Sequence, residues 1–191
     1  MNIFYLDPNP KTCAEMHVSK HVVKMIIEYA QLMSTAHRVL DGNPGVSLSD
    51  SGRKRQTYTL NDGRDGLLYS ATHLNHPSAI WVRENIENYN WLYDMWSHLL
   101  DEYTYRYGKI HATARLKDAL FAAPYHIKDG EFFAPTPAMP AELKIVADNT
   151  LPGRKYDVLK SYHNYYNVEK RSFASWKGKV NSRPTPQWFN A

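Results

Sequence analysis

The stretch EMHVSKHVVKMIIE, Glu15 to Glu28, sets two histidines four residues apart among two lysines and two glutamates. On a helix, His17, His21, Lys24 and Glu28 follow steps of four, three and four, so they form one polar stripe. The apolar set Val18, Val22, Met25 and Tyr29 lies about 100° round the same helix. The polar stripe therefore borders the buried face instead of opposing it. Partial burial and mutual charge at such a border shift pKa values, as groups that move protons or attack carbon require. The plain alternative is a solvated helix side in which Lys24 and Glu28 make an ordinary i,i+4 pair.

Two chemistries suit the stripe. A metal centre needs three or four ligands about 2 Å from the ion. His17 and His21 make a correctly spaced helical pair, and His73 and His76 of THLNHP make a second. The H-E-x-x-H arrangement is absent, since Val18, Ser19 and Lys20 stand between the first two histidines. The other chemistry is an anion-facing catalytic cleft. Its candidates are His17, His21, Lys24 and Glu28, joined by His76 and Arg83 at the start of a later helix, where free N–H groups and the dipole favour phosphate. Glu102, Arg106 and Lys109 stand near the end of that helix.

The segment SYHNYYNVEKRSFASWK adds Tyr162, Tyr165, Tyr166, Lys170, Arg171, Trp176 and Lys177. Tyr162, Tyr166 and Lys170 share one face. Aromatics interleaved with Lys and Arg suit base stacking combined with phosphate neutralisation, although each tyrosine also fits an amphipathic core edge. Arg53, Lys54 and Arg55 read as a solvated basic loop. Phosphate-loop, dinucleotide-loop and serine-elbow motifs are missing. Cys13, four residues before His17, reads as helix packing.

These residues must be positioned by helices. NIFYL, residues 2–6, predicts a short strand or extended lead. Asn9 as N-cap and Pro10 in the first turn open a long first helix, with a stripe running Ala14, Val18, Val22, Met25, Tyr29, Met33, Ala36, Leu40 to a stop at Asp41–Gly45. Residues 43–66 predict a polar loop, and LLYSATHL a short helical piece. A second long helix is predicted over Ser78–Tyr107, with core positions Trp81, Asn85, Tyr89, Leu92, Trp96, Leu99 and Tyr103, and Gly108 as its stop. A third spans about Thr113–Ala122 and a fourth about Tyr156–Trp176. Residues 124–155 are proline-rich and predict a long ordered loop with short helical turns. Pro184 and Pro186 exclude a helical tail, whose Trp188 and Phe189 should pack back on the body.

The 191 residues fit one domain, 1–191, of mainly α class. Net charge is +4 and the pI about 9.0, compatible with an anionic partner. The single cysteine excludes an intrachain disulfide and a cysteine-rich zinc site, which suits a reducing compartment. The amino terminus lacks a basic start and a long apolar run, so no signal peptide is expected. No stretch approaches the roughly 20 apolar residues of a membrane span. Asn2 is too bulky for ordinary removal of Met1.

The pattern NIFYLDPNP, KHVVKMIIE, THLNHPSAIWVREN, EYTYRYGK and YHNYYNVEKRSFASW resembles a family of small uncharacterised proteins of bacteriophage and marine viral genomes, over most of the chain. More distantly it resembles the phage pyrimidine-dimer DNA glycosylases of the endonuclease V type. There NIFYL is similar to the opening, CAEMHV to an Ala-acid-x-His-hydrophobic run, and HPSAIWVRENIENYNWL with LLDEYTYRYG to the second long helix. That resemblance implies a compact all-α protein that flips a nucleotide, cleaves the glycosidic bond and nicks DNA through an imine. His17 matches the family's helix histidine. The position of its catalytic glutamate falls at Lys24, and Glu28 is the nearest acid on that face. Its nucleophile is an amine exposed when Met is removed before threonine. With Asn2 here, the amine is expected to be that of Met1 itself, or of Lys24.

The expected function is thus a DNA-directed enzyme of base-excision type, glycosylase and abasic-site lyase, acting on damaged or modified DNA without a cofactor. Catalytic candidates are Met1, His17, His21, Lys24 and Glu28. DNA contacts are expected from Arg83, Arg106, Tyr162, Tyr166, Lys170, Arg171 and Lys177. The alternatives are a metal-dependent helical hydrolase built on His17, His21, His73 and His76, and a non-catalytic nucleic-acid-binding protein. DNA is the expected partner, without a membrane, in the cytoplasm (that of the host if the protein is viral).

Overall fold

A computed structural model describes residues 1–48, 51–148 and 155–190. Helices dominate: α1 Pro10–Met16, α2 Ser19–Asp41, α3 Pro77–Val82, α4 Ile86–Tyr107, α5 Lys117–Phe121 and α6 Val158–Tyr165. Two antiparallel pairs complete the regular structure, β1 Asn43–Leu48 with β2 Lys54–Thr59, and β3 Ile145–Val146 with β4 Tyr156–Asp157. The mainly α class is as the periodicity implies. No helix among the described residues is long and apolar enough to cross a membrane.

α4 is the central post, with α1 and α2 packed against it. Val18, Val22, Met25, Tyr29 and Met33 meet Trp81, Tyr89, Leu92 and Trp96 in one buried cluster. The Trp96 indole N–H donates to Ile26 O at 2.9 Å, so the bulkiest side chain of this seam is apolar in contact and satisfied at its one polar atom. NIFYL is extended but joins no sheet. Ile3 to Leu6 are buried, and the Phe4 amide donates to the Tyr29 hydroxyl at 3.2 Å.

The first long helix is in fact two. His17 and Val18 are extended, with ψ of 132° and 151°, between α1 and α2. The cause lies far away in sequence. The buried Arg106 guanidinium donates to Glu15 O at 2.8 Å and His17 O at 2.9 Å. The Trp176 indole donates to Met16 O at 2.8 Å. Carbonyls that would otherwise need the next helical turn are satisfied by these tertiary donors, so the break costs little.

The second long helix also breaks, at Arg83–Asn85. Asn85 caps α4 by accepting from the Asn88 amide at 2.9 Å, while Asn88 Nδ2 donates to Trp81 O at 3.1 Å. Gly108 ends α4 in the left-handed region at φ 66°, as its residue type suggests.

Four further elements differ from the sequence reading. The polar loop at 43–66 contains the β1–β2 hairpin. LLYSATHL is irregular, held by Arg38, which donates to Tyr58 O, Asp65 O, Leu68 O and Tyr69 O. The third helix is a 3-10 turn, Ala112–Leu116, running into α5. The fourth is α6, then a π turn at Tyr166–Lys170 and a 3-10 turn at Arg171–Phe173. Among its described residues the proline-rich stretch carries a 3-10 turn at Ala141–Leu143 and strand β3, which pairs with β4 just beyond it, and its residues 149–154 lie outside the described ones. The tail packs back as expected, with Trp188 stacked on His163 at 4.0 Å and Phe189 against Trp176 at 5.0 Å.

Candidate active site

An open cleft of about 360 Å³ lies beside the first half of α2. That is within the range of small-molecule or single-nucleotide pockets. Its polar lining brings together Met1, His21, Lys24, Glu28, His76 and Lys170, with Phe4 and Tyr165 as aromatic walls. Lys24 and Glu28 come from α2, which turns them outward beside the buried Met25 and Tyr29. His76 is the N-cap of α3. Lys170 ends the π turn, and its ammonium lies 4.3 Å from the Tyr165 ring centroid.

Met1 is placed there by its neighbour. Asn2 Nδ2 donates to Ala138 O at 2.8 Å, and Asn2 Oδ1 accepts from the Tyr162 hydroxyl. Both bonds span more than 130 residues of chain, so the fold itself pins residue 2. Lys24 and Glu28 form an ion pair at 3.2 Å, with side chains 72% and 17% exposed. Burial lowers the pKa of His76, and the positive amino terminus and His73 add to that, while Glu28 opposes it. His76 Nδ1 accepts from the Ser78 amide at 3.2 Å. The neutral ring then carries its proton on Nε2, where it can donate.

His17 is nearby but is not part of the lining. It is fully buried, with Nδ1 on Cys13 O at 2.8 Å and Nε2 on the Tyr29 hydroxyl at 2.8 Å. A carbonyl only accepts, so Nδ1 carries the hydrogen and the tyrosine donates to Nε2. His17 is a structural link between α1 and α2. His21 stacks on Phe4 at 4.3 Å and bonds the Tyr166 hydroxyl at 2.7 Å. Burial holds His21 down at about 3, helped by the charges of His17, Lys170 and Lys24.

These buried imidazoles make stability acid-sensitive. Burial pushes His17 down to about 4, and the Arg106 charge adds to it. The unfolded chain binds a proton near 6.5, so the contribution of neutral His17 is present above that pH and falls away between 6.5 and about 4. The loss is about 3 kcal/mol for this one group. Urea unfolding at pH 7 and pH 4.5 should show it. A His17→Asn variant, weaker at pH 7, should lose less on acidification. Equal pH dependence in both proteins would refute the assignment.

Several expected contacts are placed elsewhere. Tyr162 and Tyr166 are fully buried, so neither is a stacking surface. Their shared face is the core edge of α6 and the π turn that follows it, and their hydroxyls are taken by Asn2 and His21. Tyr165, on the neighbouring face, is the tyrosine that reaches the cleft. Arg106 is also fully buried, paired with Glu102, and is unavailable to phosphate. Arg83 donates to Ala79 O at 2.8 Å and lines a separate hollow with Leu40 and His126. Arg171 and Lys177 are exposed outside the cleft lining. The four histidines of the metal alternative do not converge. His17 is enclosed, His73 is exposed with its ring on Thr72 Oγ1, and among the described residues no three His, Cys, Asp or Glu side chains group as metal ligands.

From sequence, Asn2 is expected only to keep Met1 in place, and its bonds to Ala138 and Tyr162 are not foreseen. A polar residue next to the terminus was the one signal available for Asn2. Comparison with protein-family models, curated proteins and solved structures finds no match for this chain.

Proposed function

We propose that the protein is a DNA-directed base-excision enzyme, a glycosylase and abasic-site lyase that works through an imine. The observation that supports this reading is the meeting of Met1, Lys24, Glu28 and His76 in one nucleotide-sized cleft. The cleft holds an amine-bearing residue, a carboxylate and an imidazole that can donate a hydrogen bond, with Lys24 and Lys170 as phosphate partners. In the proposed reaction the neutral amine of Met1 bonds to C1′ of an extruded nucleotide as the bond from C1′ to the base breaks. The neutral His76 Nε2–H hydrogen-bonds the departing base, which leaves as its anion and takes its proton from water. Glu28 takes the proton from the attacking nitrogen and returns one to the ring oxygen as the sugar opens to the imine. Lys24 is largely solvated and paired with Glu28. That position suits a phosphate contact more than a nucleophile, which needs a desolvated amine.

Borohydride trapping tests the reading. Incubation with abasic or damaged duplex under borohydride should give a covalent protein–DNA adduct that maps to the Met1 peptide. Lys24→Gln should keep the adduct at reduced yield. Blocking the terminal amine should abolish it. An adduct on Lys24 would reassign the nucleophile, and no adduct on any such substrate would remove the imine mechanism.

A further inference from the structure

We propose that the β1–β2 hairpin is a second nucleic-acid contact, gripping the phosphate backbone that extends from the nucleotide in the cleft. This rests on the nucleic-acid reading above and adds to it an element that the all-α glycosylase resemblance does not contain.

The hairpin has no buried face of its own. Every residue of β1 is exposed, and so are Lys54, Arg55 and Gln56 of β2. A lone two-stranded hairpin is marginal in water, yet this one is anchored at its base, where the buried Arg38 donates to Tyr58 O at 2.8 Å. The register sets Leu48 opposite Lys54 and Ser47 opposite Arg55, so the two cations stand on opposite faces of the ribbon. Residues 43–59 contain three basic side chains, Arg53, Lys54 and Arg55, against one acidic one, Asp50. An exposed ribbon of net positive charge, tied down at its base, fits a polyanion.

Its position ties it to the cleft. Arg55 lines a hollow that also takes in Arg38, Ser70 and Ala71. Six residues after Ser70 the same segment delivers His76 to the cleft. Between them Thr72 is pinned to α2, its amide donating to Thr35 Oγ1 at 3.2 Å. On α2, Glu28 marks the cleft and Arg38 the hollow. Ten residues of helix span about 15 Å, or roughly four steps of a duplex at 3.4 Å each. A backbone leaving the cleft therefore reaches the hairpin within about four nucleotides.

The test uses the full chain and dumbbell duplexes carrying one abasic-site analogue. One duplex ends about three base pairs from the analogue and the other extends about ten on each side. Lys54→Ala/Arg55→Ala should bind the long duplex about tenfold more weakly at low salt, with the slope of log K against log salt shallower by about 2. Its binding of the short duplex should equal that of the unchanged protein. Lys170→Ala, in the cleft, should weaken both. Lys54→Arg/Arg55→Lys, which keeps the charges, should bind both normally. Undiminished binding of the long duplex by the alanine variant, or equal loss on both duplexes, overturns the hairpin contact alone. If the unchanged protein binds neither duplex, the nucleic-acid reading falls and this contact with it.

Discussion

Glu28→Gln is expected to lower base excision and strand nicking by about 10²–10⁴-fold, the range that a positioned proton-transfer group contributes. The carboxylate is 17% exposed, lies in the cleft with Met1 and His76, and has Lys24 at 3.2 Å. Glutamine keeps its shape and its capacity to accept hydrogen bonds, but it cannot take a proton from the attacking amine. Loss of the ion pair with a largely exposed lysine should cost under about 1 kcal/mol, so the fold should survive. Binding to an uncleavable abasic analogue should be unchanged or slightly stronger, because a negative charge facing the DNA is removed. Glu28→Asp should restore part of the rate. Single-turnover nicking assays beside equilibrium binding separate these effects. A Glu28→Gln protein that nicks at more than a third of the normal rate would exclude Glu28 from the chemistry.

Arg106→Met should be the most damaging single change to the fold, at about 3–5 kcal/mol. Its guanidinium is fully buried. It pairs with Glu102 and donates to Glu15 O, His17 O and the Ser19 hydroxyl. Methionine fills similar volume but leaves two carbonyls at the α1–α2 break without donors, and each buried orphan costs about 1–3 kcal/mol. Glu102 keeps Arg183 at 2.9 Å, which limits the penalty from a stranded carboxylate. A melting temperature lower by roughly 6–20 °C is expected, from about 2–4 °C per kcal/mol at this chain length. Arg106→Lys should fall between. A loss under about 2 °C would mean that the break between α1 and α2 is held by other contacts.

Local sequence determined much of this protein. Asn9 and Pro10 open α1, and Gly108 closes α4, because capping and left-handed backbone are properties of single residues. The core seam of Val22, Met25, Tyr29 and Met33 with Trp81, Tyr89, Leu92 and Trp96 follows from a 3.6-residue period that any helix must obey. Two prolines alone exclude a helical tail. The polar stripe of His21, Lys24 and Glu28 was legible for the same reason, as a border to that seam.

Tertiary structure decided the rest. The apolar stripe runs on through His17 and Val18, so periodicity cannot show a break whose donors, Arg106 and Trp176, arrive from 89 and 160 residues away. The hairpin strands bury no face, and so lack the alternation that would mark them. Tyr162 and Tyr166 have the same composition whether they stack on bases or fill a core, and only the arrival of Asn2 and His21 at their hydroxyls sends them inward. The cleft itself is of this second kind. Lys24 and Glu28 are neighbours on one helix, but Met1, His76 and Lys170 reach them only because the extended lead, the α3 cap and the π turn converge on α2 in the folded chain. Helix geometry acts over four residues and is written locally, whereas a site assembled from four segments exists only after the core between them has closed.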